Sequence, residues 1–167
     1  MHAQGATSTR VIIVRHGEAE AALLDDKSRQ LTDRGRKQTT QASIAISQFV
    51  PHKKFDIAFV SPYRRAQQTF DVLSVRLATK QRVECEDITP MSSPVQASHM
   101  ILGYTEDPIA EKQCILVVSH MPLVSFLTAE LANLESPPIF STSAFAVIDI
   151  DNNNGFGHLV DLVHQHD

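Results

Sequence analysis

The sequence has few cysteines, no long apolar run and no concentrated positive charge, and each absence narrows the class of protein. Cys85 and Cys114 are far apart and lack C-x-x-C spacing, so we expect neither a disulfide framework nor a structural zinc site. Both thiols are expected to pack in the core of a reduced, cytoplasmic protein. No stretch approaches the roughly 18 consecutive apolar residues that a membrane span requires. A membrane-spanning protein is therefore not expected.

The overall charge also argues against a nucleic-acid partner. The formal net charge is -4, the isoelectric point is about 6.0, and lysines and arginines do not cluster into a run. Residues 1–10 are polar and lack the apolar core of a secretory signal, so they are predicted to form a flexible tail. The remainder, 11–167, is long enough for a single domain that buries roughly 70% of its unfolded surface. Nothing in the sequence indicates its oligomeric state.

What the sequence does contain is an apolar run that leads directly into polar, functional residue types. Residues 11–14 are four consecutive β-branched residues, a pattern typical of a strand buried on both faces. Arg15, His16 and Gly17 follow at once. Ligands bind at the carboxyl ends of strands in open α/β sheets, so Arg15 and His16 are expected in a crevice. Gly17 would let the backbone turn sharply there.

The same order of residues occurs twice more. The apolar segment 57–60 leads into Ser61, which suits a helix N-cap, and Pro62, which suits the first helical position, with Arg65 in the first turn. A second apolar segment, 114–118, leads into Ser119 and then His120. Strands of this kind deliver four residues to one edge of a sheet, beside helix N-termini that favour anions: Arg15, His16, Arg65 and His120. The pattern predicts a phosphate site.

The remaining periodicity indicates helices between the strands and a hairpin at the end. Apolar positions at helical spacing predict helices after Thr32, from Ala66, from Ser93 to about Leu102, and after Leu123. Segments 144–150 and 157–163 flank an Asn-Asn-Asn-Gly turn and are predicted to pair. The predicted fold class is α/β, with a mostly parallel central sheet, helices on both faces and a C-terminal antiparallel hairpin.

The chemistry of such a pocket suits phosphoryl transfer. A neutral histidine can accept a phosphoryl group on one ring nitrogen while a hydrogen bond to the other fixes the tautomer, and His16 is the candidate. Two arginines and His120 could stabilise the charge on the phosphoryl oxygens. The alternative is that the arginines form surface ion pairs and the histidines are core residues. The C-terminal histidines and aspartates lack ligand-like spacing and are expected to be solvent-exposed: His158, His164, His166, Asp161 and Asp167.

Three motifs in this order resemble the histidine phosphatase superfamily, which also contains phosphoglycerate mutases. They are Arg-His-Gly-Glu at 15–18, Ser-Pro-x-x-Arg-Ala-x-Gln-Thr at 61–69 and Ser-His-x-Pro at 119–122. The short length, Leu-Thr-x-x-Gly at 31–35 and the segment 137–144 further resemble the SixA-type phosphohistidine phosphatases. The resemblance implies a phosphoglycerate mutase-like fold, a covalent phosphohistidine at His16 and no metal or other cofactor. It also implies that the phosphoryl group is bound by Arg15, Arg65 and His120.

Many superfamily members carry a helical insertion that covers the site and supplies an acidic proton donor, but here only short segments separate the elements. Asp87 and Glu18 are the candidate general acids that remain. An open pocket and an imidazole leaving group both favour phosphohistidine on a protein, and the resemblance suggests a phosphotransfer domain or a phosphocarrier protein as partner. The alternatives are a small-molecule phosphomonoesterase or mutase of the same superfamily, or a non-catalytic module that binds phosphohistidine.

Overall fold

The computed structural model describes residues 8–21, 25–105 and 113–165, which form a six-stranded sheet with four α-helices. The strands in chain order are β1 (Ser8–Arg15), β2 (Lys54–Val60), β3 (Ala78–Glu84), β4 (Gln113–Ser119), β5 (Phe145–Asp151) and β6 (Gly157–Val163). The helices are α1 (Asp33–Ile46), α2 (Arg64–Leu73), α3 (Pro94–Thr105) and α4 (Leu123–Ala132). Short 3-10 turns cover Pro51–Lys53 and Glu86–Ile88.

The sheet has the order β3-β2-β4-β1-β5-β6. β3, β2, β4 and β1 are mutually parallel, whereas β5 pairs antiparallel with both β1 and β6. The predicted fold class is therefore confirmed, including the C-terminal hairpin, whose turn contains Gly155 at a φ of 72°. None of the described helices is long and apolar enough to cross a membrane.

The core lies on both faces of the sheet because β1 is apolar on both faces. Ile12 and Val14 pack with α1 and α2, whereas Val11 and Ile13 pack with α3 and α4. All four side chains are fully buried. Burial of a side chain of this size stabilises the fold by about 1.5–3 kcal/mol, so β1 is anchored from two sides. The groups that follow it are held on a rigid strand end.

The N-terminal boundary differs from the prediction. Residues 8–10 belong to β1 and not to the predicted tail, while 1–7 lie outside the described residues. Thr9 is polar but fully buried, and its Oγ1 donates to the side chain of Asn152. Arg10 forms an ion pair of 2.8 Å with Asp149 of β5. Polar composition alone predicts a tail here, because the partners of Thr9 and Arg10 lie more than 130 positions away in sequence and leave no local signal.

The start of α2 also differs. The helix begins at Arg64, with Tyr63 as its N-cap residue, so Ser61 is not the cap and Pro62 is not the first helical residue. The Ser61 side chain contacts a histidine instead, as described below. α1 is capped by Thr32, whose Oγ1 accepts a hydrogen bond of 3.0 Å from the Gly35 N–H.

Candidate active site

The candidate site lies where β1, β2 and β4 end. Arg15 is paired in register with Ser119, and the His16 N–H donates to the Ser119 carbonyl at 3.0 Å, one residue beyond the end of β1. On the other side of β4, the Ser61 N–H donates to the Val118 carbonyl at 3.1 Å. Parallel strands held in this register bring the residues that follow them to one edge of the sheet.

His16 is held in one tautomer by its two ring contacts. Its Nδ1 lies 2.7 Å from the Gly17 carbonyl, which can only accept, so Nδ1 carries the hydrogen. The Arg65 Nε donates to His16 Nε2 at 3.2 Å, so Nε2 carries the lone pair. Burial, together with the charges of Arg65 and Arg15, lowers the pKa of His16 to about 3. The ring is therefore neutral at physiological pH, and Nε2 is its nucleophilic atom.

His120 lies beside His16, with ring centroids 5.1 Å apart and planes inclined at 62°. It is almost fully buried, and burial lowers its pKa to about 2, with smaller contributions from His16 and the nearby arginines. Its Nε2 lies 2.7 Å from Ser61 Oγ. Its Nδ1 is buried and has no hydrogen-bond partner in the described part of the chain. The ring of Tyr63 packs edge-on at 4.9 Å.

The two arginines bring positive charge to the same site. Arg65 is only 3% exposed, and burial lowers its pKa. Arg15 donates through one terminal nitrogen to the Phe140 carbonyl at 2.7 Å, while its Nε is buried without a partner among the described residues. Its pKa is lowered by burial and then by the charge of Arg65. Two neighbouring guanidinium groups that both suffer from desolvation favour an anion between them.

The loop before α1 contributes two residues that the sequence did not predict. Arg65 donates to the Asp26 carbonyl at 2.7 Å and to its carboxylate at 3.3 Å. Arg29 pairs with the same carboxylate at 2.9 Å, and its charge also lowers the pKa of His16. The hydrogen bond from Arg29, followed by the charge of Arg65, lowers the pKa of Asp26, so this carboxylate is ionised at neutral pH. It therefore anchors Arg65 and is not a stored proton donor.

The two carboxylates considered as general acids have other neighbours. Glu18 accepts from Thr32 Oγ1 at 2.9 Å and forms an ion pair of 2.7 Å with Arg34 at the start of α1. Asp87 is exposed in the 3-10 turn Glu86–Ile88 that follows β3. Neither forms a hydrogen bond to His16 or to His120 within the described residues.

The main chain next to His16 is fixed by close packing. The Gly17 N–H donates to Thr69 Oγ1 at 3.1 Å, and a Cβ on Gly17 would lie 2.6 Å from the Gly35 carbonyl oxygen. The His16 carbonyl accepts from the Ser143 N–H at 3.1 Å. Gly17 thus allows β1, α1 and α2 to approach one another at the site, which explains the glycine after the histidine.

The C-terminal histidines lie apart from this chemistry. His158 and His164 are exposed, as is Asp161, while His166 and Asp167 lie outside the described residues. His164 Nδ1 lies 2.8 Å from Ser141 Oγ. Among the described residues, no group of three or more histidine, cysteine, aspartate or glutamate side chains could hold a metal ion.

Comparison with known proteins agrees with this geometry. A family model described as histidine phosphatase superfamily (branch 1) matches residues 11–88, the segment that carries Arg15, His16 and Arg65. The chain belongs to this superfamily. Its relatives include the phosphohistidine phosphatase SixA of Escherichia coli (strain K12), which is 33% identical over 147 residues, or 86% of this chain and 87% of that protein.

A second relative and a solved structure extend the same comparison. The phosphohistidine phosphatase SixA homolog of Haemophilus influenzae is 34% identical over 151 residues, or 86% of this chain and 89% of that protein. The protein histidine phosphatase SixA complexed with tungstate has a TM-score of 0.83 and 30% identity, covering 93% of this chain and 96% of that one. The resemblance inferred from the three motifs is confirmed.

Proposed function

We propose that the protein hydrolyses the phosphoryl group of phosphohistidine on a protein partner, through a covalent intermediate at His16 Nε2. The observation that carries this proposal is the tautomer of His16. The Gly17 carbonyl holds the hydrogen on Nδ1, and the lone pair of Nε2 points toward the guanidinium of Arg65, whose Nε donates to it at 3.2 Å. The names of the relatives point to the same substrate class.

The first step exchanges one nitrogen–phosphorus bond for another. The Arg65 Nε–H releases the lone pair of His16 Nε2, which forms a bond to phosphorus while the bond from phosphorus to the substrate imidazole breaks. When the other nitrogen of that imidazole already carries a hydrogen, the ring leaves neutral and needs no proton from the enzyme. Arg15 and Arg65 stabilise the phosphoryl oxygens through charge-assisted hydrogen bonds. An ionised Asp26 and a Glu18 paired with Arg34 are compatible with this step.

In the second step, water attacks phosphorus and the bond to His16 breaks. Both hydrogens of the water remain on the dihydrogen phosphate that forms, and His16 returns to its neutral Nδ1–H form. The two steps are chemically alike, since imidazole is the leaving group in each. A phosphate ester would instead release an alkoxide, which requires a general acid. This difference favours phosphohistidine over sugar phosphates and other phosphomonoesters.

The partner is proposed to be a histidine-containing phosphotransfer domain or a phosphocarrier protein of signal transduction. Such a protein presents its phosphohistidine on a surface, which suits a site at the edge of an open sheet. Cys85 and Cys114 are buried and are not joined by a disulfide bond, which is typical of a reduced compartment and supports a cytoplasmic location.

The test is transfer of a radioactive phosphoryl group from a phosphohistidine protein. Wild type should acquire an acid-labile, base-stable label within a turnover and release phosphate, whereas His16→Ala should do neither. His158→Ala, which removes an exposed histidine of the hairpin, is the matched control and should behave as wild type. Phosphoserine peptides and sugar phosphates should react much more slowly. Wild-type turnover by His16→Ala would refute the covalent mechanism, and binding without turnover by wild type would indicate a binding module.

A further inference from the structure

The surroundings of His120 distinguish its two ring nitrogens. His120 is 1% exposed, its Nε2 lies 2.7 Å from Ser61 Oγ, and its Nδ1 has no partner in the described part of the chain. Because burial keeps the ring neutral, only one of the two nitrogens carries a hydrogen. The nitrogen that carries the hydrogen can donate to an anion, whereas the other one cannot.

The contacts of Ser61 determine which ring nitrogen of His120 carries the hydrogen. Its side chain is fully buried, and its N–H is fixed by the Val118 carbonyl of β4. In the part of the chain that the structure describes, its hydroxyl oxygen has two hydrogen-bond contacts: it accepts from the Tyr63 N–H at 3.3 Å, and it lies 2.7 Å from His120 Nε2. An N–H group cannot accept a hydrogen bond, so among the described residues the only acceptor for the hydroxyl hydrogen is the lone pair of Nε2.

We propose that Ser61 is a positioning residue that holds His120 as the Nδ1–H tautomer, so that Nδ1 donates to the phosphoryl group. The opposite tautomer would leave the buried hydroxyl hydrogen of Ser61 without an acceptor. It would also leave Nδ1, which has no partner among the described residues, with a lone pair and no hydrogen to donate to an anion. In this arrangement the serine that follows β2 makes His120 a donor without giving it a charge. The catalytic consequence rests on the proposed function, whereas the tautomer is a property of the free protein.

The tautomer is measured directly by two-bond hydrogen–nitrogen correlation NMR on protein with nitrogen-15 in its histidine rings. In wild type without substrate, Nδ1 of His120 should resonate as an N–H nitrogen and Nε2 as a nitrogen with a lone pair. In Ser61→Ala the hydrogen should no longer be confined to Nδ1 of His120. Ser61→Thr, which keeps the hydroxyl, should show the wild-type pattern. A wild-type protein with the hydrogen on Nε2 would overturn the proposal without any variant.

Kinetics and a matched control complete the test. Ser61→Ala should lower kcat/KM toward a phosphohistidine protein by roughly 10–100-fold, comparable with the loss when a partner that orients a metal-bound histidine is removed. Ser119→Ala removes another buried serine hydroxyl at a strand end, one that donates to the Ile88 carbonyl, and should leave the tautomer of His120 unchanged. Unchanged kcat/KM and tautomer in Ser61→Ala would contradict the proposal. Correct tautomers with no hydrolysis of phosphohistidine would refute the proposed function alone.

Discussion

The hydroxyl of Thr69 connects the two chain segments that carry His16 and Arg65, and its removal should have a measurable cost. Thr69 Oγ1 accepts from the Gly17 N–H at 3.1 Å and donates to the Arg65 carbonyl at 2.8 Å. Thr69→Val keeps the size of the side chain but removes both hydrogen bonds. The Gly17 N–H is then left buried without an acceptor, whereas the Arg65 carbonyl can still accept within α2.

The magnitude follows from the unpaired N–H. A buried donor without an acceptor costs about 1–3 kcal/mol in the free energy of unfolding. For a domain of this length, that cost lowers Tm by about 2–4 °C per kcal/mol, so the expected decrease is about 2–12 °C. Activity should also fall, because the Gly17 carbonyl that holds His16 Nδ1 belongs to the residue whose N–H has lost its partner.

Thr128→Val is the matched control for this experiment. Thr128 is also fully buried in a helix and donates to the carbonyl four residues earlier, that of Val124, at 2.7 Å, but within the described residues its hydroxyl accepts no main-chain N–H. Denaturant unfolding and calorimetry should show a much smaller loss of stability for Thr128→Val, with activity close to that of wild type. Equal losses of stability in the two variants would refute the reasoning, because they would show that the Gly17 contact contributes nothing.

Three further outcomes are expected. Gly17→Ala should lose activity and stability because its Cβ would collide with the Gly35 main chain, whereas Gly103→Ala in α3, where a Cβ meets nothing within 4 Å, should gain up to about 1 kcal/mol of unfolding free energy in denaturant titrations. Turnover should persist in a chelator, since arginine and histidine donors supply the stabilisation that a metal would give; a loss that added metal restores would contradict this. As pH falls below about 6.5, the unfolded chain should bind protons at His16 and His120 that the folded protein excludes down to about pH 3, because their folded pKa values are lowered to about 3 and about 2. The unfolding free energy should therefore decrease by up to about 1.4 kcal/mol per histidine per pH unit, and His120→Gln should reduce the slope measured by denaturation at several pH values.

The parts of the site that could be predicted from the sequence are those that directly follow a buried strand. Arg15, His16 and His120 come immediately after apolar runs, and the ends of parallel strands share one edge of the sheet. Arg65 was placed by the helix that starts after β2. These signals are local, so they survive without knowledge of the tertiary contacts.

The parts that could not be predicted depend on contacts between distant segments. Asp26 and Arg29 lie in a stretch of mixed charge without periodicity, and only the folded chain brings Asp26 to Arg65. Ser61 has the residue type of a helix cap, and its contact with His120 spans 59 positions. Likewise, the sequence alone predicts that Arg10 belongs to a tail, because its partner Asp149 lies near the other end of the chain.

The central position of β1 has a consequence for motion at the site. β1 is bonded on both sides, to β4 and β5, and its apolar residues are fully buried, so its amides should exchange with solvent only when the whole protein unfolds. The exposed segment 25–28, which meets Arg65, should exchange through small local openings. His16 is therefore attached to a strand that should open slowly, whereas Asp26 lies in a segment that should open more readily. Local opening of this segment should therefore expose Arg65, while His16, the proposed nucleophile, stays at the end of the rigid strand.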